Sequence, residues 1–141
     1  MANSSGGVVP LLGRILISSI FILSGISKIT AFSMEEGYAA AKHLPMPTVG
    51  IAVSLIIEVL GGLAILVGLY TRLTAWVVFL YLIPTTFIFH NFWAEQGAER
   101  INNMIHFQKN LAIMGGLLVL AAFGAGSLSI DSSRASKTAT I

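Results

Sequence analysis

Glu58 has the most chemistry to offer, because it sits where a carboxylate is expensive. It lies well inside the apolar run Ile51 to Tyr70, IAVSLIIEVLGGLAILVGLY. A helix that crosses a bilayer needs about 20 mostly apolar residues, so this run is long enough. An ionisable side chain at that depth costs on the order of 3 kcal/mol on insertion scales. Glu58 must therefore face other protein and find a partner. It can then exchange a proton, contact a ligand, or simply pair with a cation and hold helices together. Ser54 precedes it by four residues, and Gly61 and Gly62 follow by three and four. That spacing puts all four on one helix face, where the small residues let a neighbouring helix approach closely.

Five further residues join Glu58 as candidates. Lys28 closes the first apolar run, His90 ends the third, and Lys109 and Asn110 lie in the first turns of the fourth; Ser54 is the fifth. Ser24 and Lys28 are four apart, as are Thr86 and His90, and His106, Lys109 and Asn110 are three and four apart. Each set forms a polar stripe on one helix face. Glu58 and His90 are the residues expected to exchange protons, and Lys28, Lys109, Asn110 and Ser54 those expected to bind. A plainer account stands beside each. The lysines can snorkel to the lipid headgroups, His90 can be an interfacial histidine, and Glu58 can be a structural acid paired with Lys28 or Lys109.

The elements that position these residues follow from hydropathy. Apolar runs at about 11–29, 51–70, 73–92 and 103–123 predict four membrane spans. The expected fold is an all-α transmembrane four-helix bundle occupying 11–126. A positive residue ahead of an apolar core also suits a signal peptide. Here the first run reaches spanning length, no small-residue cleavage pattern follows, and three more spans come after. Residues 1–10 and 127–141 are short and polar and are expected to be disordered. Ser33 and Glu36 have capping-box spacing, so a short helix lying at the membrane interface is expected from Met34 to about His43. Pro45-Met46-Pro47 ends it and opens the second span. Thr71-Arg72 leaves room only for a tight turn between the second and third spans. Pro84 lies inside the third, where it removes a backbone hydrogen bond that a membrane bundle can compensate.

Four spans put both termini and the Thr71-Arg72 turn on one side. Arg14, Arg72, Arg134 and Lys137 are on that side, against Lys42 and Arg100 in the two long loops. The positive-inside rule then predicts cytoplasmic termini. Glu58 lies roughly 10 Å in from the opposite, two-loop side at 1.5 Å of rise per residue. Apart from Arg14, the ionisable residues of the spans gather in that half of the bilayer.

Composition sets the boundaries. The chain is 55% hydrophobic and 10% charged, against about 25% charged in soluble domains, and its mean hydropathy is +0.86. This is a membrane protein by composition. The net charge of +2 comes with no basic cluster that would suit nucleic acid. The absence of cysteine excludes disulfides, thiol redox chemistry by this chain and cysteine-ligated metals. Three scattered histidines make a poor metal or haem site, and no nucleotide loop or nucleophile elbow is present.

Several motifs, taken in order, resemble the DoxX family of small four-span bacterial inner-membrane proteins. They are Arg14 with FILSGISK (Phe21 to Lys28), LPMP (Leu44 to Pro47), Glu58 and its glycines, GLYTR (Gly68 to Arg72), His90, NMIHFQKN (Asn103 to Asn110) and GAGSLSID (Gly124 to Asp131). The resemblance covers about residues 11–131. It implies association with membrane complexes that handle quinones and oxidative or thiol stress, and several members of the family are labelled oxidoreductases. It carries over no catalytic residue. The candidate site above rests on burial cost and depth.

Two functional classes follow. One is a redox-associated membrane subunit, with quinone as the possible cofactor and a membrane or peripheral oxidoreductase as the possible partner. There Glu58 and His90 would exchange protons or bond the quinone oxygens, and Lys28 or Lys109 would stabilise negative charge. The other is a non-catalytic scaffold, assembly partner or small carrier. The lipid bilayer surrounds the chain in both, and both allow a homo-oligomer.

Overall fold

The computed structural model describes residues 5–138, and among them are four long apolar helices and two short ones. In order they are α1 (Ser5–Thr30), α2 (Phe32–Ala41), α3 (Pro47–Val67), α4 (Thr71–Phe89), α5 (Gly97–Phe123) and α6 (Ile130–Thr138), with a single 3-10 turn at Phe92–Ala94. No strand occurs among the described residues. The segments Gly7–Thr30, Pro47–Val67, Thr71–Ala94 and Gly97–Phe123 are each long and apolar enough to cross a membrane. α1 packs chiefly on α3, α4 on α5, and α3 on α4. The shared core is built from Phe21, Ile65, Ala75, Val78, Leu82, Met114, Leu117 and Ala121. Most other large apolar side chains point outward, as a protein solvated by lipid rather than water requires.

Both chain ends differ from expectation. Residues 5–10, expected to be disordered, form the first turns of α1. Gly7 is buried there, and a Cβ on it would collide with Ser127 and Leu128, so the absent side chain makes room for the C-terminal segment. Residues 130–138 of the expected polar tail form α6, fastened to the α3–α4 turn by Asp131. The remaining parts of the two expected tails, 1–4 and 139–141, lie outside the described residues. The short helix of the first loop is present as α2, but the capping box is not made. Ala31 is its N-cap, without a side-chain bond, and the Glu36 carboxylate accepts a hydrogen bond from the Thr48 hydroxyl instead.

The tight turn between α3 and α4 is set by backbone conformation. Gly68 ends α3 in the left-handed region at φ +69°, where a Cβ is unfavourable. Tyr70 also takes a left-handed φ of 45°, uncommon for a bulky residue.

Candidate functional site

The site begins with how closely α1 and α3 approach. A Cβ on Gly25 would run into Val59, and one on Gly62 would come within 2.9 Å of Ile22 and 3.3 Å of its backbone nitrogen. The two glycines let the helices meet face to face, which brings Lys28 to Glu58. The Lys28 ammonium lies 2.9 Å from Glu58 Oε2 and 3.1 Å from Oε1, and donates a third bond to Ser24 Oγ at 2.9 Å. Tyr81 reaches across from α4 and donates to Glu58 Oε1 at 2.7 Å. Ser54 lies 3.4 Å from the same oxygen and 2.5 Å from the tyrosine hydroxyl. Glu58 is 5% exposed. Of the two lysines that could pair with it, Lys28 is the partner.

This cluster forms part of the wall of a cavity of about 590 Å³ between the helices. All six candidate residues line it, but at two levels. Tyr81, which touches Glu58, and His90 are nine residues apart along α4, about 13 Å of helical rise. A single ligand ring cannot bridge them. The buried Thr86 lies between, and its hydroxyl accepts a bond from the buried Asn110 amide at 3.0 Å. At the outer level His90 Nδ1 lies 3.4 Å from Asn103 Oδ1, and its ring stacks on His106 with centroids 5.1 Å apart and planes 18° apart. Lys109 lines this end without an ion pair or hydrogen bond of its own. α2 covers the same end. Its Tyr38 donates to the Phe89 carbonyl at 3.3 Å, and the following Lys42 bonds Glu95 at 2.7 Å and Asn91 at 2.9 Å.

Sequence reasoning missed Tyr81 and left His106 out of the candidates. A lone tyrosine within an apolar run carries no signal that its hydroxyl will point inward at a carboxylate on another helix. His106 shares a helical stripe with Lys109 and Asn110, and that stripe was the available signal.

The opposite end of the bundle holds a second buried charge. Arg14, expected only to mark that face, is 1% exposed. Its guanidinium donates to the Leu66 carbonyl at 2.6 Å, to Ile65 at 3.3 Å and to Leu128. It therefore ties α1 to the end of α3, where the helix dipole favours a cation, and to the C-terminal segment. Among the described residues no group of acids and histidines is arranged to hold a metal ion.

These features define a small four-span integral membrane protein with a cavity at its two-loop end, and the comparisons with known proteins agree. The chain belongs to the DoxX family, whose model matches residues 9–91. It is 35% identical to the inner membrane protein YphA of Escherichia coli, over 88% of this chain and 89% of that one. It is 40% identical to the inner membrane protein YqjF of the same organism, over 86% and 88%. It is also 25% identical to the ER-derived vesicles protein ERV29 of Saccharomyces cerevisiae, over 92% of this chain but 34% of that longer protein. No solved structure matches it.

Proposed function

We propose that this DoxX-family protein is a redox-associated membrane subunit whose cavity holds a quinone, acting on the quinone itself or presenting it to a partner oxidoreductase. The observation that carries the reading is the Glu58–Lys28–Tyr81 cluster on the wall of a largely apolar cavity within the spans. A carboxylate, an ammonium and a phenol joined by hydrogen bonds form a route for protons, and an apolar chamber suits a lipid-soluble ring and tail. His90 serves the mouth of the cavity and Glu58 its inner level. Lys28 balances the Glu58 carboxylate, Lys109 stabilises negative charge on the ligand, and Ser54 and Asn110 hold the polar groups in place. The two-loop end faces the outside of a bacterial inner membrane, with the termini cytoplasmic and α2 lying at the membrane surface. The positive-inside bias supports that orientation. The exposed apolar helix faces suit lipid, a membrane partner or a second copy.

One observation favours the non-catalytic reading: the Glu58 oxygens are engaged within the protein, as in a purely structural pair. Cells lacking the protein, complemented with wild type or Glu58→Gln, separate the two. The redox reading predicts that the variant, compared at matched abundance because its broken ion pair lowers stability, fails to restore the redox state of the membrane quinone pool. Full restoration contradicts it. A fall in abundance with turnover per molecule unchanged supports a scaffold.

A further inference from the structure

We propose that His106 and Lys109, beside the stacked ring of His90, form the headgroup subsite of this cavity, and that it takes an oxyanion carried on an apolar body. The inference rests on the reading that the cavity holds a ligand. It adds which end receives the polar group and what that group's chemistry must be.

At the inner level the groups are committed to one another. All three Lys28 donors are spent, on Ser24 Oγ and the two Glu58 oxygens. The Tyr81 hydroxyl donates to Glu58 and meets Ser54. A headgroup entering there has to break bonds before it makes any. At the outer level the position is reversed. Lys109 carries three donors and no acceptor, and none of the three is used. His106 makes only its ring contact with His90. His90 donates its Nδ1–H to Asn103 Oδ1 at 3.4 Å, so its Nε2 is an acceptor in the neutral ring and its part here is to hold the His106 ring by stacking. All three residues line the cavity. Asn110 gives one of its two amide hydrogens to Thr86, which holds it at the level between the two ends.

An ammonium beside the His106 ring N–H asks for an acceptor. An ionised oxygen is the best one, because charge-assisted hydrogen bonds are about twice as strong as neutral ones. Two other charges face this end. Lys42 is engaged by Glu95 and Asn91. Glu35, on α2, lines the cavity without an ion pair and is the acid that a bound anion has to outcompete for Lys109. Leu82, Ile88 and Phe89 supply apolar wall below, so the anion comes attached to an apolar body. Two sources share this chemistry: a quinone with an ionised ring oxygen and a fatty carboxylate.

The test uses the full chain in lipid nanodiscs, with empty discs as the blank. The probes are 2-hydroxy-1,4-naphthoquinone, which is anionic at neutral pH, its uncharged 2-methyl analogue, and decanoate. The hydroxy compound is expected to bind about ten-fold more tightly than the methyl one. His106→Phe keeps a ring for stacking, and Lys109→Met keeps most of the length. Each is expected to remove most of that preference while leaving the methyl compound's affinity in place. Decanoate that competes with the hydroxy compound identifies a general oxyanion subsite, and decanoate that does not identifies a quinone-type source; both support the proposal. Decanoate binding that depends on Lys109, with neither quinone bound, supports the subsite and overturns the quinone reading. Equal affinity for the two quinones overturns the subsite and leaves the quinone reading standing. Affinity that falls in Glu58→Gln but not in His106→Phe or Lys109→Met moves the headgroup to the inner level and also overturns it. Wild-type protein that binds none of the three overturns both.

Discussion

Arg14 and Glu58 meet the same difficulty, a charge within an apolar helix, by different means. Glu58 has a counter-ion, whereas Arg14 has three backbone carbonyls. The consequences of substitution differ accordingly. Lys28→Met leaves Glu58 buried without its cation, and breaking a buried pair from one side costs about 3–5 kcal/mol. Lys28→Met with Glu58→Leu removes both charges and is expected to recover most of that loss. Unfolding in mixed micelles, followed for the two single variants and the double, measures the recovery. Arg14→Lys cannot span the same three carbonyls and is expected to cost about 2 kcal/mol by the same assay. The Glu58 pair was half legible in the sequence, since depth and stripe direction left only Lys28 and Lys109 as partners. Arg14 was not. Its burial depends on residues near Leu128 folding back over the start of α1, and no local pattern around Arg14 records that.

Among the elements, the α3–α4 turn is held from outside itself. Asp131, at the start of α6, accepts bonds from the Tyr70 and Thr71 amides, each at 2.8 Å, and so caps α4. Its own amide donates to the Gly68 carbonyl at 2.9 Å. Burial by itself pushes the Asp131 carboxyl up. The Thr71 and Tyr70 amides and the nearby Arg134 outweigh it and hold the carboxyl below its ordinary value. With the folded value depressed, the stabilising contribution is present above the ordinary carboxylate range and is lost as pH falls through the folded value. Amide hydrogen exchange at Tyr70 and Thr71 reads this directly. In Asp131→Asn one of the two acceptor oxygens is lost, so one of these amides loses its bond and is expected to exchange about ten-fold faster near neutral pH. The difference should close in acid, once the wild-type carboxyl is protonated, and a difference that persists there contradicts the carboxylate's role. The sequence misled at this scale because cap signals are read over a few residues. Ser33 and Glu36 have the right spacing and do not form the box, whereas the cap of α4 comes from 60 residues downstream. The spans themselves were legible, since their boundaries follow from apolar length. All four long helices start earlier than their apolar runs; for α1 the C-terminal segment packs on the added turns, whereas the added residues 97–102 of α5 are exposed.

For the whole molecule, the two ends of the bundle do different work. At the turn end Arg14 and Asp131 fasten α1, α3, α4 and the C-terminal segment together. At the two-loop end the helices leave a cavity, with the polar residues on its wall and α2 across it. That polarity was readable from topology, because four spans and the positions of Lys28, Glu58, His90 and Lys109 put those residues in one half of the bilayer. The cavity and its separation into two levels were not, since both depend on how far apart the helices stand. The central claim is that this chamber holds a quinone. The direct measurement is native mass spectrometry of the full chain released gently from its own membranes. The account predicts added mass matching a quinone, at one per chain. A chain carrying only protein partners, with no small molecule in any preparation that retains bound lipid, contradicts it.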